Sequence, residues 1–190
     1  MSGRGLAFAM LALLCFGQEA DKGPGFLRPL DQSILKPGAL SVVARTEGEA
    51  KLLLDGKPVE SKSDAAGVLS ATVKLEAGKH ELVLVTGGAE HKARLFVGEG
   101  APAGFEAFRA HPPAAACTAC HAAEGGAWGF KGGSLKENCL VCHDQKTFVE
   151  AHQHTPEVLE ECSLCHQPHG SKVRFHLKYD RDTACRLCHG

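Results

Sequence analysis

The sequence predicts a chain in two unlike parts. An antiparallel β-sandwich spans residues 40–98, and short helices and loops whose core is not built from side chains span 111–190. Three observations predict this. From Leu40 to about Val97 apolar residues alternate with polar ones, as where Leu69, Ala71, Val73 and Leu75 are set between Ser70, Thr72 and Lys74, and period two marks a half-buried strand. Glycine-bearing turn dipeptides punctuate the same stretch. From Cys117 onward the alternation stops, large apolar residues thin out, and one five-residue phrase returns four times at intervals of 22, 23 and 23 residues. Such regularity implies one supersecondary unit per copy.

The first twenty residues read as a signal peptide (1–20). Arg4 gives the positive n-region, Leu6 to Phe16 is a short apolar run, and Gly17-Gln18-Glu19-Ala20 turns polar, with cleavage after Gly17 or Ala20. The run is too short to span a bilayer, so no membrane span is expected in the mature chain. An uncleaved anchor is the alternative, and Leu14 ahead of Cys15 argues against a lipoprotein. Of 9 cysteines only Cys15 lies outside the repeated phrase, and the two methionines are Met1 and Met10. Processing would leave eight cysteines and no methionine. A net charge of -1 offers no basic surface for nucleic acid.

Residues 21–39 hold Gly23, Pro24, Gly25, Pro29, Pro37 and Gly38 and read as a lead-in linker. Six strands are expected near 40–45, 50–54, 57–61, 67–75, 79–86 and 91–97. Asp55-Gly56 between Leu52-Leu53-Leu54 and Val59 signals a hairpin, and Ala77-Gly78 and Thr86-Gly87-Gly88 mark two more turns. The phrases Leu54-Asp55-Gly56-Lys57-Pro58-Val59 and Leu75-Glu76-Ala77-Gly78-Lys79-His80-Glu81-Leu82 resemble bacterial immunoglobulin-like surface modules. That resemblance implies an immunoglobulin-like sandwich and a docking or display role. His80 and His91 are expected to face solvent from their strands, the other reading being a metal ligand donated by the sandwich. Residues 99–110 read as the interdomain linker, with Phe105 and Phe108 packing on the sandwich or on the part that follows.

The repeated phrase is Cys-x-x-Cys-His: Cys117, Cys120 and His121; Cys139, Cys142 and His143; Cys162, Cys165 and His166; Cys185, Cys188 and His189. It is the attachment signature of c-type haem. Two thiols three residues apart reach the two vinyl groups of one porphyrin, and the next residue lies under the ring and offers its imidazole to the iron. Four covalently bound haem c groups are expected, with these four histidines as proximal ligands. A pair of zinc ribbons is the competing reading, since Cys120 and Cys139 are separated by zinc-like spacing. The histidine after every second cysteine argues against it. A chain without methionine also has no His/Met iron, which points to bis-histidine, low-potential haems.

His154-Thr155-Pro156, then Cys162 to Ser171 with Pro168-His169-Gly170 inside it, then Cys185 to His189 resembles the doubled Cys-x-x-Cys-His module of small multihaem cytochromes c. The resemblance implies distal ligation by the His-x-Pro and Pro-His-Gly histidines, here His154 and His169. His111-Pro112-Pro113 matches the first element, which adds His111. The counterpart of His169 in the first half is Glu124, so the fourth distal ligand comes from elsewhere. His152, in an expected helix from Lys146 to His154, is the choice and His176 the runner-up. Which distal histidine serves which iron stays open. Trp128, Phe130 and Tyr179 are expected to stack on haem, near a glycine loop of Gly125, Gly126, Gly129, Gly132 and Gly133. Lys172, Arg174 and Lys178 are candidate propionate partners or a solvated face.

The expected function is electron transport by an exported tetrahaem cytochrome, periplasmic or on the outer cell surface. Its partners would be other redox proteins of the envelope or an extracellular electron acceptor, and it would not be an enzyme. The alternatives are a multihaem reductase with one open iron, and an oligomer in which subunits form a haem filament.

Overall fold

The computed structural model describes residues 23–111, 117–124, 127–144, 146 and 154–190. The expected signal peptide, His152, Gly125 and Gly126 lie outside them. Fourteen strands are described: β1 Gly25–Arg28, β2 Ser33–Leu35, β3 Gly38–Arg45, β4 Ala50–Leu54, β5 Lys57–Val59, β6 Lys62–Ser63, β7 Val68–Leu75, β8 Gly78–Thr86, β9 Ala89–Val97, β10 Glu106–Ala107, β11 Arg109–Ala110, β12 His121–Glu124, β13 Ala127–Phe130 and β14 Gly170–Ser171. The α-helices are α1 Leu135–Leu140, α2 Pro156–Glu160 and α3 Arg181–His189.

Two sheets form the sandwich, one ordered β1-β3-β7-β6 and the other β10-β2-β9-β8-β4-β5. β2 runs parallel to β9, while β3 with β7 and β8 with β9 are antiparallel. One four-stranded sheet facing a second built on three long antiparallel neighbours is the immunoglobulin-like arrangement. Alternation explains which face each strand buries. Val42 and Ala44 of β3 face Leu69, Val73 and Leu75 of β7 and Leu82, Leu84, Leu95 and Val97 of the other sheet in one core cluster. Each fully buried leucine there contributes roughly 2 kcal/mol of transfer free energy.

The six expected strands are present within a few residues of their expected ends. The lead-in read over 21–39 differs, because it carries β1, β2 and the start of β3. Strands of three or four residues broken by Pro29 and Pro37 are too short to show a period. The stretch 99–110 also differs, because β10 extends the sheet beside β2 and β11 pairs with β14. Both are two-residue ladders made by main chain, which leaves no side-chain signature.

The turn at Asp55-Gly56 has both residues at positive φ, 51° and 76°, the mirror-image turn that suits strand twist. Its aspartate is fixed from across the sheet. Asp55 Oδ1 accepts from the Glu81 amide at 2.8 Å, and His80 Nδ1 lies 2.7 Å from Asp55 Oδ2 while Nε2 lies 3.0 Å from the Glu76 carbonyl. Neither partner donates, so both ring nitrogens carry protons and the ring is an imidazolium. His80 is therefore not the solvent-facing strand histidine expected. Burial works against its charge, but the Asp55 and Glu76 contacts prevail and raise its pKa above the ordinary 6.5. Burial likewise opposes the Asp55 charge, but the His80 and Glu81 hydrogen bonds prevail and hold its pKa below 3.8.

The linkage signs follow. The His80 contribution is complete below its unfolded pKa and is lost as pH rises through its raised folded value. The Asp55 contribution is complete above its unfolded pKa and is lost as pH falls through its lowered one. The pair is thus most stabilising between pH 3.8 and 6.5. Because both groups are partly solvated, the whole contribution is at most about 1 kcal/mol. We expect H80Q to lower sandwich stability by about that much near pH 6 and by less near pH 9 in denaturant titrations. An equal loss at both pH values would show that the charge is not involved.

Beyond His111 the character of the chain changes. Among the described residues of that part only Gly170 and Ser171 are buried, and α1, α2 and α3 bury no residue. Every large exposed apolar side chain of the described protein lies here, including Val141 at 80% and Phe175 at 73%. No described helix is long and apolar enough to cross a membrane.

Candidate functional site

Each Cys-x-x-Cys-His phrase begins in a helical turn, and the last lies wholly in one. Cys117–Ala119 and Cys162–Leu164 are 3-10 turns, Cys139 lies in α1, and all of Cys185 to His189 lies in α3. The His143 amide donates to the Cys139 carbonyl at 3.0 Å, and the His166 amide donates to Cys162 at 3.0 Å. At this pitch the residues at i, i+3 and i+4 share one face. Both thiols and the imidazole of a motif therefore project together, which is what the spacing encodes.

The turns have local causes. α1 starts at a capping box, in which the Ser134 hydroxyl accepts from the Glu137 amide and the Glu137 carboxylate accepts from the Ser134 amide. The Asp180 carboxylate caps α3 by accepting from the Thr183 amide at 3.0 Å. His121 opens a hairpin, β12 with β13, that aligns it opposite Phe130. Gly129 of the expected glycine loop thus lies in a β-ribbon, and Gly132 and Gly133 follow it. Phe130 stacks on the His121 ring at 5.5 Å and Trp128 meets it edge-on at 5.7 Å.

The histidines meet in pairs. His121 faces His169 with ring centroids 6.1 Å apart and planes 18° from parallel. His143 faces His111 at 5.8 Å and 27°, and His189 meets His154 at 6.3 Å and 40°. Two imidazoles on opposite sides of one metal, each with a bond of about 2 Å, have centroids roughly 6 Å apart. All three distances fit that span. Each pair joins a motif histidine to one of the three histidines singled out beside the motifs.

Hydrogen bonds also engage Nδ1 of three rings. His111 Nδ1 lies 3.0 Å from the Pro168 carbonyl, His121 Nδ1 3.2 Å from Gly129 O, and His166 Nδ1 3.0 Å from Phe175 O. A carbonyl only accepts, so Nδ1 is the donor in each contact, and Nε2 takes no part in it. For His169, burial first, then the neighbouring charges of His121, Arg28, Arg45 and His111, push its pKa down to about 4. Its ring is thus neutral at physiological pH, the form that binds a metal.

Two expected residues stand apart. Among the described residues no ring is in stacked contact with His166. His176 touches His111 at 4.9 Å and 60°, too close for two rings to oppose across one metal. His91 is half-buried, with Nε2 buried and without a hydrogen-bond partner. Lys172 donates to the Asp31 carbonyl at 3.2 Å and Arg174 lies 5.3 Å over the Phe175 ring. Phe105 packs edge-on against Phe96 of the sandwich at 6.4 Å.

The eight motif cysteines are free thiols rather than disulfides. Among the described residues no group of three or more His, Cys, Asp or Glu side chains is arranged to hold a metal ion. Burial first, then the nearby Cys162 and Cys120 thiols, push Cys139 up to about 11, the opposite of what a catalytic thiol needs. Paired thiols and paired imidazoles on exposed apolar ledges fit a flat macrocycle. An open cleft of about 570 Å³ beside His143, lined by Leu140, Val141 and Cys142, is one such ledge.

Sequence reasoning missed two residues of the site. Asp64, in the β6–β7 turn, accepts from Trp128 Nε1 at 2.8 Å, and Arg28 of β1 stands near His169. Both lie in the sandwich, where no motif points to the distant histidines.

Residues 154–190 match the doubled CXXCH motif family. The doubled motif indicates covalently bound haem c in that segment. Among solved structures the chain is similar to fibronectin(III)-like modules of Clostridium thermocellum CbhA, at 17% identity over 40% of this chain and 95% of that one, TM-score 0.34. It is also similar to tandem Ig repeats of Dlar, at 18% identity over 46% of this chain and 50% of that one, TM-score 0.33. The M1 domain from titin is similar at 14% identity over 41% of this chain and 93% of that one, TM-score 0.28. No curated protein matches the chain.

Proposed function

We propose that this chain is an exported tetrahaem c-type cytochrome that carries electrons between redox partners of the cell envelope or to an extracellular acceptor. The observation that supports it best is the set of three facing imidazole pairs, His121 with His169, His143 with His111 and His189 with His154, each close to 6 Å. In this reading the eight cysteines tether four haems, four motif histidines ligate from one side, and His111, His154 and His169 ligate from the other. His152, the sequence-based choice for the fourth distal ligand, lies outside the described residues.

Haem supplies reversible one-electron chemistry when bound. The chain's own contribution is to hold two neutral imidazoles per iron in fixed planes, so that a redox change requires little rearrangement and substrates are excluded. Carbonyl bonds to Nδ1 hold the ring orientations. The motifs lie close together, because Cys139 neighbours both Cys120 and Cys162, and Cys165 neighbours Cys185 and Cys188. Short gaps of that kind suit transfer from one haem to the next.

A second reading, a reductase with one open iron, is favoured by Glu124, which stands in the first half where the second half has His169. Intact mass and the electron paramagnetic resonance spectrum of periplasmically matured protein decide between them. Four covalent haems, all low-spin, are expected, and H169A should convert one of the four to high spin. A high-spin iron in the unmodified protein that disappears with the first or second motif would favour the reductase. A chain without covalent haem would overturn both.

A further inference from the structure

One end of the outer face of the four-stranded sheet, around Val43 and Arg28, is covered, while Ala39, Ser41, Thr72 and Lys74 on the same face are exposed. Val43 of β3 points away from the core, since its neighbours Val42 and Ala44 belong to the core cluster and it does not, yet it is only 6% exposed. Several contacts identify the cover. Trp128, whose ring meets His121, donates to Asp64 at the β6–β7 turn. β14, which follows His169 directly, pairs with β11, and Lys172 donates to the carbonyl of Asp31, three residues beyond Arg28. The His121–His169 pair is therefore held against the sandwich.

Arg28 lies on that covered side. Its Nη2 donates to Ser41 Oγ at 2.8 Å, and Ser41 and Val43 alternate on the same face of β3. Only 7% of the residue is exposed, and its Nε is buried with no hydrogen-bond partner. A buried guanidinium with an unmatched donor is costly unless an anion accompanies it. Arg45 ends β3 on the same face, opposite Gly25 of β1.

We infer that Arg28, supported by Arg45, is the sandwich's counter-charge for the carboxylate edge of the group held between His121 and His169. The carboxylates would be the propionates of the first haem. This inference rests on the haem reading proposed above and extends it, because it makes the β-domain part of one redox centre rather than a passive display module. Arg28 acts as a positioning and charge-setting residue and touches no iron. A nearby positive charge favours the reduced state of the iron and makes it easier to reduce.

The test is a potentiometric titration of the matured full-length protein, followed by optical and electron paramagnetic resonance spectra, for the unmodified chain and for R28Q. Intact mass comes first. A chain without covalent haem would refute the proposed function itself, whereas four covalent haems in both proteins isolate the Arg28 question. With four haems in both, one haem of R28Q is expected to become at least tenfold harder to reduce, a shift of about 59 mV for one electron. R28K should restore part of the shift. The shifted component should vanish when Cys117 and Cys120 are replaced in the same background. No shift, an equal shift of all four haems, or a shift that survives loss of the first motif would overturn the inference. If R28Q does not fold, R45Q decides in its place: a smaller shift of that same haem supports the inference, and no shift overturns it.

Discussion

A chain whose eight motif cysteines are replaced by alanine is expected to lose all protected structure beyond about residue 111 and to keep its sandwich. The sandwich closes its own core of leucine and valine, with Leu52, Leu69, Leu82, Leu84 and Leu95 no more than 1% exposed. The second part has no such core. Its described helices run 6, 5 and 9 residues, well under the ~12–15 needed for a helix to persist alone in water. Leu140, Val141, Leu164, Phe175 and Leu187 stand exposed there, so the energy that orders this part must come from the group the thiols tether. Hydrogen exchange read by mass spectrometry would show the split directly. Slow exchange in 117–190 of the cysteine-free chain would mean that side chains alone fold it.

Gly170→Ala is expected to be the most damaging single substitution at the junction of the two parts. Gly170 has φ 131°, and a Cβ built on it would lie 2.5 Å from Phe108 Cζ and 2.7 Å from the Arg109 carbonyl oxygen. No rotamer relieves a backbone contact, so the β11–β14 ladder must open. Strain at φ and overpacking together cost roughly 2–4 kcal/mol. The ladder also orders the neighbouring histidines, since His169 precedes Gly170 and its carbonyl receives the His111 amide at 3.5 Å. The expected readouts are a lower melting temperature for the matured protein and a high-spin signal from the His121–His169 centre. G129A is the control, because the nearest contact there is an ordinary 3.8 Å to the Ala122 carbonyl. Equal effects from the two variants would show that crowding at Phe108 is not the cause.

Much of this was legible in the sequence, for reasons that differ by element. The long strands β3, β7, β8 and β9 bury one face, so their residues alternate and the period is visible. The four motifs were legible because thioether chemistry fixes both residue type and spacing, and a single helical turn delivers both. The pairing of histidines was half legible. His111, His154 and His169 carry neighbouring prolines that mark them, but their pairing depends on chain reversal through β12, β13 and β14, which no local pattern reports. The short strands β1, β2, β10 and β11 were invisible because their pairing is made by main chain. Arg28 was invisible for a deeper reason. A charged residue in a strand reads as solvated, and only the covered end of its sheet's outer face makes it otherwise.

The stretch after β9 has one further consequence. Had residues 99–110 been a free tether, its ends would wander roughly 20 Å relative to one another, and the two parts would tumble like beads on a string. Instead Phe108 and Glu106 donate their amides to Ile34 and Gln32 at 3.0 Å each, which stitches the connection onto β2. The chain is therefore a lever with a stiff handle. Whatever grips the sandwich also sets the angle at which the histidine-bearing part is presented, and a torque applied to one is felt by the other.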